Sequence, residues 1–92
     1  MNYKEAFLIV EKDENENNEY IIKGRAYIDI NINDTLYYKD RENILKYKIK
    51  RILTYRIETN LLSQMMTGDI IIEGDNFDII ENDCFFYIQS NN

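Results

Sequence analysis

Residues 20–32 read YIIKGRAYIDINI, with apolar side chains at every second position. Tyr20, Ile22, Gly24, Ala26, Ile28, Ile30 and Ile32 share one face, and Ile21, Lys23, Arg25, Tyr27, Asp29 and Asn31 share the other. A helix repeats about every 3.6 residues and cannot hold that alternation, so the segment is a strand with its even face inward. Gly24 and Ala26 are the small members of that face, which suits tight curvature or the close approach of a neighbouring strand.

Turn residues punctuate the rest. Gly24-Arg25, Asn33-Asp34, Gly68-Asp69 and Gly74 are spaced among apolar runs, and Gly and Asn supply a positive φ cheaply, so these positions are expected to stop and turn strands. Strands are predicted over residues 3–11, 20–32, 35–39, 46–57, 70–73 and 84–89. The run 7–10 (FLIV) suggests burial on both faces for part of the strand's length. The run 12–19 (KDENENNE) has no apolar residue and reads as an exposed loop that does not pack. In the strand 46–57, strict alternation would turn Arg51 inward, so a bulge at Lys50-Arg51 is expected, letting Ile49 and Ile52 both face the core. Residues 58–67 are read either as a short helical turn or as an irregular loop closing one end, and 78–81 as one helical turn. The fold class is all-β: a small closed antiparallel β-barrel of about six strands, forming one domain over residues 1–92.

Composition narrows the class. A hydrophobic content of 45% is that of a folded chain. The net charge of −6 opposes non-specific binding to nucleic acid and to anionic membranes. The one cysteine, Cys84, cannot form an internal disulfide, which fits a reducing compartment. No apolar run approaches the roughly 18 residues of a membrane span, and Met1 to Glu5 lack a signal-peptide layout, so a cytoplasmic location is expected. Heavy use of Ile, Asn, Lys, Glu and Tyr suggests an AT-rich bacterial genome.

The stretches Gly24-Arg25-Ala26-Tyr27, residues 32–37 (INDTLY), residues 47–52 (YKIKRI), residues 67–74 (TGDIIIEG) and residues 78–85 (DIIENDCF) follow an order and spacing that resembles the second, β-barrel domain of translational GTPases such as elongation factor Tu. The resemblance covers roughly residues 20–87 and implies a translation-factor domain 2-like barrel standing without its nucleotide-binding domain. Asn33 and Asn82 stand where the family usually has Gly. No G-x-x-x-x-G-K-[ST] loop is present, so GTP hydrolysis is excluded.

Chemistry is sparse. The chain has no His, which removes Ser-His and Cys-His nucleophiles. Cys84 begins an apolar strand beside Asp83 and reads as a buried, inert thiol. The carboxylates of the C-terminal third read as a solvated rim. No catalytic residue, metal or cofactor is assigned. Tyr27, on a polar face, and Tyr37-Tyr38, of which one must point outward, are candidate protein-interface residues. Lys46, Lys48, Lys50 and Arg51, with Tyr47 and Tyr55 nearby, are candidate RNA contacts; the alternative is an edge-protecting solvated face. The leading expectation is a non-enzymatic protein-binding module whose partner has a basic surface. The alternatives are an RNA- or ribosome-associated factor, or a small acidic immunity or inhibitor protein. A homodimer through a strand edge or the patch 61–66 is a further expectation, and no membrane partner is expected.

Overall fold

The computed structural model describes residues 2–14 and 19–90. Among the described residues nine strands run β1 (Asn2–Glu14), β2 (Tyr20–Ala26), β3 (Ile30–Asn31), β4 (Thr35–Asp40), β5 (Asn43–Thr54), β6 (Ile57–Thr59), β7 (Leu61–Leu62), β8 (Thr67–Glu73) and β9 (Phe85–Ser90), with one 3-10 turn at Phe77–Ile79. The main sheet has the order β4-β9-β1-β2-β8-β5, and β4 also pairs with β5, closing six antiparallel strands into a barrel. Strand β6 hangs on β5 outside that ring, and β3 with β7 forms a separate two-stranded ribbon.

The even face of residues 20–32 does turn inward, but β2 ends at Ala26 and the chain bends before β3. Ile22, Ala26 and Ile30 join Phe7, Ile9, Leu36, Tyr47, Ile49, Ile52, Leu62, Ile70, Ile72 and Phe86 in one core. Bulges set which side chains reach it. A register shift between Ile49 and Arg51 puts both Ile49 and Ile52 inside, as the cost of burying Arg51 required. A second shift, between Glu5 and Phe7, lets the adjacent residues Ala6 and Phe7 both be buried. A third shift falls between Ile9 and Glu11; Val10, on the outer face with Leu8, is 59% exposed, so burial on both faces does not extend to that end of the run 7–10.

The glycines differ from their expected use. Among the described residues, those at positive φ are Arg41, Tyr55, Arg56, Met65, Asn76 and Asp83, and none is Gly. Gly24-Arg25 and Gly68-Asp69 lie within β2 and β8 rather than in turns, and Gly24 faces Gly68 across the two strands. Crowding explains them. A Cβ on Gly24 would overlap the Leu8 carbonyl, one on Gly68 would sit 2.8 Å from the Leu53 carbonyl, and one on Gly74 would sit 2.6 Å from the Tyr47 ring. The wall bends too sharply there for any side chain.

Other boundaries shift for local reasons. The strand predicted over 46–57 stops at Thr54, because Tyr55 and Arg56 form a two-residue hairpin into β6. Residues 58–67 are not helical: β7 pairs with β3, and Leu62 is fully buried. Of the polar run 12–19, residues 15–18 lie outside the described residues. Lys12 does pack: its Nζ donates to the carbonyls of Phe77 (3.2 Å) and Asp78 (3.1 Å) and sits 5.3 Å from the Phe77 ring centroid. Phe77 stacks on Tyr20, with ring centroids 4.3 Å apart.

Two substitutions test this packing. Gly24→Ala should cost about 2–4 kcal/mol in denaturant unfolding, since the obstructing atom is backbone. The fully buried Tyr47 donates its hydroxyl to the Asp75 carbonyl at 2.6 Å. Burial, then the nearby Asp75 and Asp78 carboxylates, push its phenol up to about 12 from 10.0. The folded state therefore keeps this proton where the unfolded chain loses it, so the associated stability is whole below pH 10.0 and is lost as pH rises toward about 12. Alkaline unfolding followed by circular dichroism should show that decline, and Tyr47→Phe should flatten it.

Candidate functional site

On the outer face of β1, β2, β8 and β5, alternate residues point away from the core and line a groove of about 530 Å³. Leu8 and Val10 come from β1, Lys23 and Arg25 from β2, Thr67 and Asp69 from β8, and Leu53 from β5. Tyr27 follows β2, and Tyr55 and Arg56 form the hairpin after β5. Gly24 and Gly68 complete the lining.

The two tyrosines differ in support. Tyr27 is 37% exposed and braced edge-on against Phe85, with ring centroids 5.0 Å apart. Tyr55 is 85% exposed. It sits at φ 52 and Arg56 at φ 65, both left-handed. A two-residue hairpin of this hand favours Asn-Gly, and a left-handed residue with a side chain costs about 1–2 kcal/mol. Tyr55 recovers little of that by burial.

Charge within the groove runs against that of the chain. Its lining holds Lys23, Arg25 and Arg56 and the single carboxylate Asp69. Lys23 lies opposite Asp69 in the β2–β8 register. Among the described residues the ion-paired guanidinium is that of Arg51, while Arg25 and Arg56 have no carboxylate partner.

The tyrosines singled out from the sequence separate. Tyr27 lines the groove. Tyr37 and Tyr38 do not form an exposed surface: they are 8% and 5% exposed. Tyr37 points outward, as alternation demands, but Tyr3 covers it edge-on at 5.4 Å and its hydroxyl donates to Gln89 Oε1 at 3.2 Å. Tyr38 points inward, packs on Phe86 at 5.6 Å and accepts the Glu81 N–H at 3.1 Å. Burial raises its phenol pKa. Both rings work in the seam between β4 and β9, where Tyr37 pairs with Tyr87 and Tyr38 with Phe86.

The basic stripe forms in part. Lys46, Lys48 and Lys50 are exposed on β5. Lys48 faces Glu73 of β8, which interrupts the positive field. Arg51 is withdrawn from it: its guanidinium donates to Glu19 at 2.9 Å and lies 3.6 Å from Glu58. Tyr47 is fully buried, so its ring cannot stack a base beside the lysines. Cys84 is half-buried against the core. Among the described residues no Cys, Asp and Glu side chains converge as a metal-binding group.

Val10, Lys23, Arg25 and the placing of Tyr55-Arg56 at a hairpin tip were not found by pattern. Residues 53–58 (LTYRIE) contain no Gly, Asn or Asp to announce a turn, and the unbroken apolar run 7–10 (FLIV) conceals that Val10 shares the outer face with Leu8. No family model, curated protein or solved structure matches the chain. Relieving the strained tip gives a direct check: Tyr55→Asn with Arg56→Gly should raise unfolding stability by about 1–2 kcal/mol, measured in denaturant.

Proposed function

We propose that the chain is a non-enzymatic binding module that docks a segment of a partner protein in the outer groove. The observation that carries this reading is the groove's lining. Leu8, Val10, Tyr27, Leu53 and Tyr55, drawn from three strands of this wall and their ends, put apolar and aromatic surface where the outer wall of a barrel is ordinarily polar. Exposed Tyr flanked by Arg is the composition of binding hot spots. The sequence supplies no imidazole for proton transfer, which sets catalysis behind recognition. The resemblance of the turn order to the second domain of translational GTPases is part of this proposal as architecture, with no residue role carried over.

A second reading, an RNA- or ribosome-associated factor, is favoured by the exposed Lys46, Lys48 and Lys50. Glu73 opposite Lys48 and the pairing of Arg51 weigh against it.

Affinity capture with the immobilised protein separates the two. Bound protein should be lost with Tyr27→Ala and Tyr55→Ala and retained with Lys46→Glu and Lys48→Glu. Loss with the lysine pair alone, together with steep weakening by salt, would assign the RNA reading. Capture unchanged by all four substitutions would defeat both.

A further inference from the structure

We infer that the occupant of the groove is a short, extended, acidic segment of a partner protein, with its carboxylates held by Arg25 and Arg56 and an apolar or aromatic residue seated between Tyr27 and Tyr55. The inference rests on the docking reading above and adds the chemistry of the ligand.

Charge complementarity is the first argument. The chain carries −6, yet the groove gathers three cations against one carboxylate. Lys23 has the Asp69 carboxylate opposite it in register, whereas Arg25 lies opposite Thr67 and Arg56 sits at the hairpin tip, so the two guanidinium groups are the cations best placed to meet a ligand. A guanidinium presents a planar fork of donors that matches a carboxylate two bonds at a time.

Strain is the second argument. Tyr55 and Arg56 hold left-handed backbone at φ 52 and 65 in a turn that Asn-Gly would make more cheaply. The highly exposed Tyr55 does not serve the core. Side chains kept at a strained, solvent-facing tip beside a groove point to contact with something outside the chain.

Size is the third. Four strands spaced about 4.8 Å apart span roughly 14 Å from β1 to β5, the length of about four extended residues. So short a segment brings few charges, and the repulsion from a body of net charge −6 stays small. A nucleic-acid strand would bring one phosphate per nucleotide against the same field, and the apolar lining of Leu8, Val10 and Leu53 offers it nothing.

The test is a selection of random heptapeptides displayed on phage against the immobilised full chain. Recovered sequences should be enriched in Asp and Glu next to Leu, Phe, Tyr or Ile. A synthetic copy of the leading peptide should bind wild type about tenfold or more tighter than Arg25→Glu, and likewise tighter than Tyr55→Asn with Arg56→Gly. That double variant is expected to be more stable than wild type, so loss of binding there is not loss of fold. Enrichment of Lys and Arg, with binding still lost on Tyr27→Ala, overturns the acidic assignment and leaves the docking reading standing. If no peptide depends on any of these residues, both fall. Tighter binding of a uridine decanucleotide than of any selected peptide, abolished by Arg25→Glu, also overturns the inference in favour of nucleic acid.

Discussion

Closure of the barrel depends on β4, which hydrogen-bonds to β5 along one edge and to β9 along the other. The β5 side is long, running from Thr35–Lys48 to Asp40–Asn43, whereas the β9 side has two residue pairs. Side chains reinforce that narrow seam on both faces. Inside, Tyr38 lies against Phe86. Outside, Tyr3 covers Tyr37, Gln89 links the two hydroxyls, and the Lys39 ammonium lies 4.2 Å from the Tyr87 ring centroid. Each aromatic contact is worth about 0.5–1.5 kcal/mol, comparable to the net contribution of a backbone hydrogen bond, so the rings roughly match the ladder they flank. Without the seam, β4 and β9 would present two open edges.

That requirement explains what could be read from the chain and what could not. Alternation along residues 20–32 gave the inward face correctly, because burial on one side of a pleated strand leaves no other choice. The bulge at Lys50 was legible for a related reason: an arginine in a dry interior is costly enough to override strict alternation. The roles of the glycines were not legible. In a one-dimensional string a glycine that frees a turn looks the same as a glycine that admits a neighbouring carbonyl, and here the second use prevails at Gly24 and Gly68. The left-handed work falls instead to Arg41, Tyr55, Arg56, Met65, Asn76 and Asp83, of which only Asn76 and Asp83 are of types that favour it.

The groove was the least legible part. Tyr27 was identifiable from its polar-face position, but its companions are brought beside it only by strand order, and β2 with β8 are far apart in sequence. Tyr37 and Tyr38 show the opposite problem. A pair of adjacent tyrosines on a strand must place one ring outside the core, yet outside does not mean exposed when Tyr3 arrives from the first strand to cover it. Lys46, Lys48 and Lys50 were placed correctly on the surface by period two, while Arg51 was claimed by Glu19 and Glu58 from elsewhere in the chain.

The appended position of β6 separates two kinds of selection. The tip at Tyr55-Arg56 belongs to an overhang of β5 that takes no part in the six-stranded circuit. Side chains there can be exchanged without breaking any hydrogen bond on which the cylinder relies. The glycine floor beneath cannot vary in this way. Descendants of this sequence are thus free to acquire new tastes at the rim while inheriting an unaltered vessel.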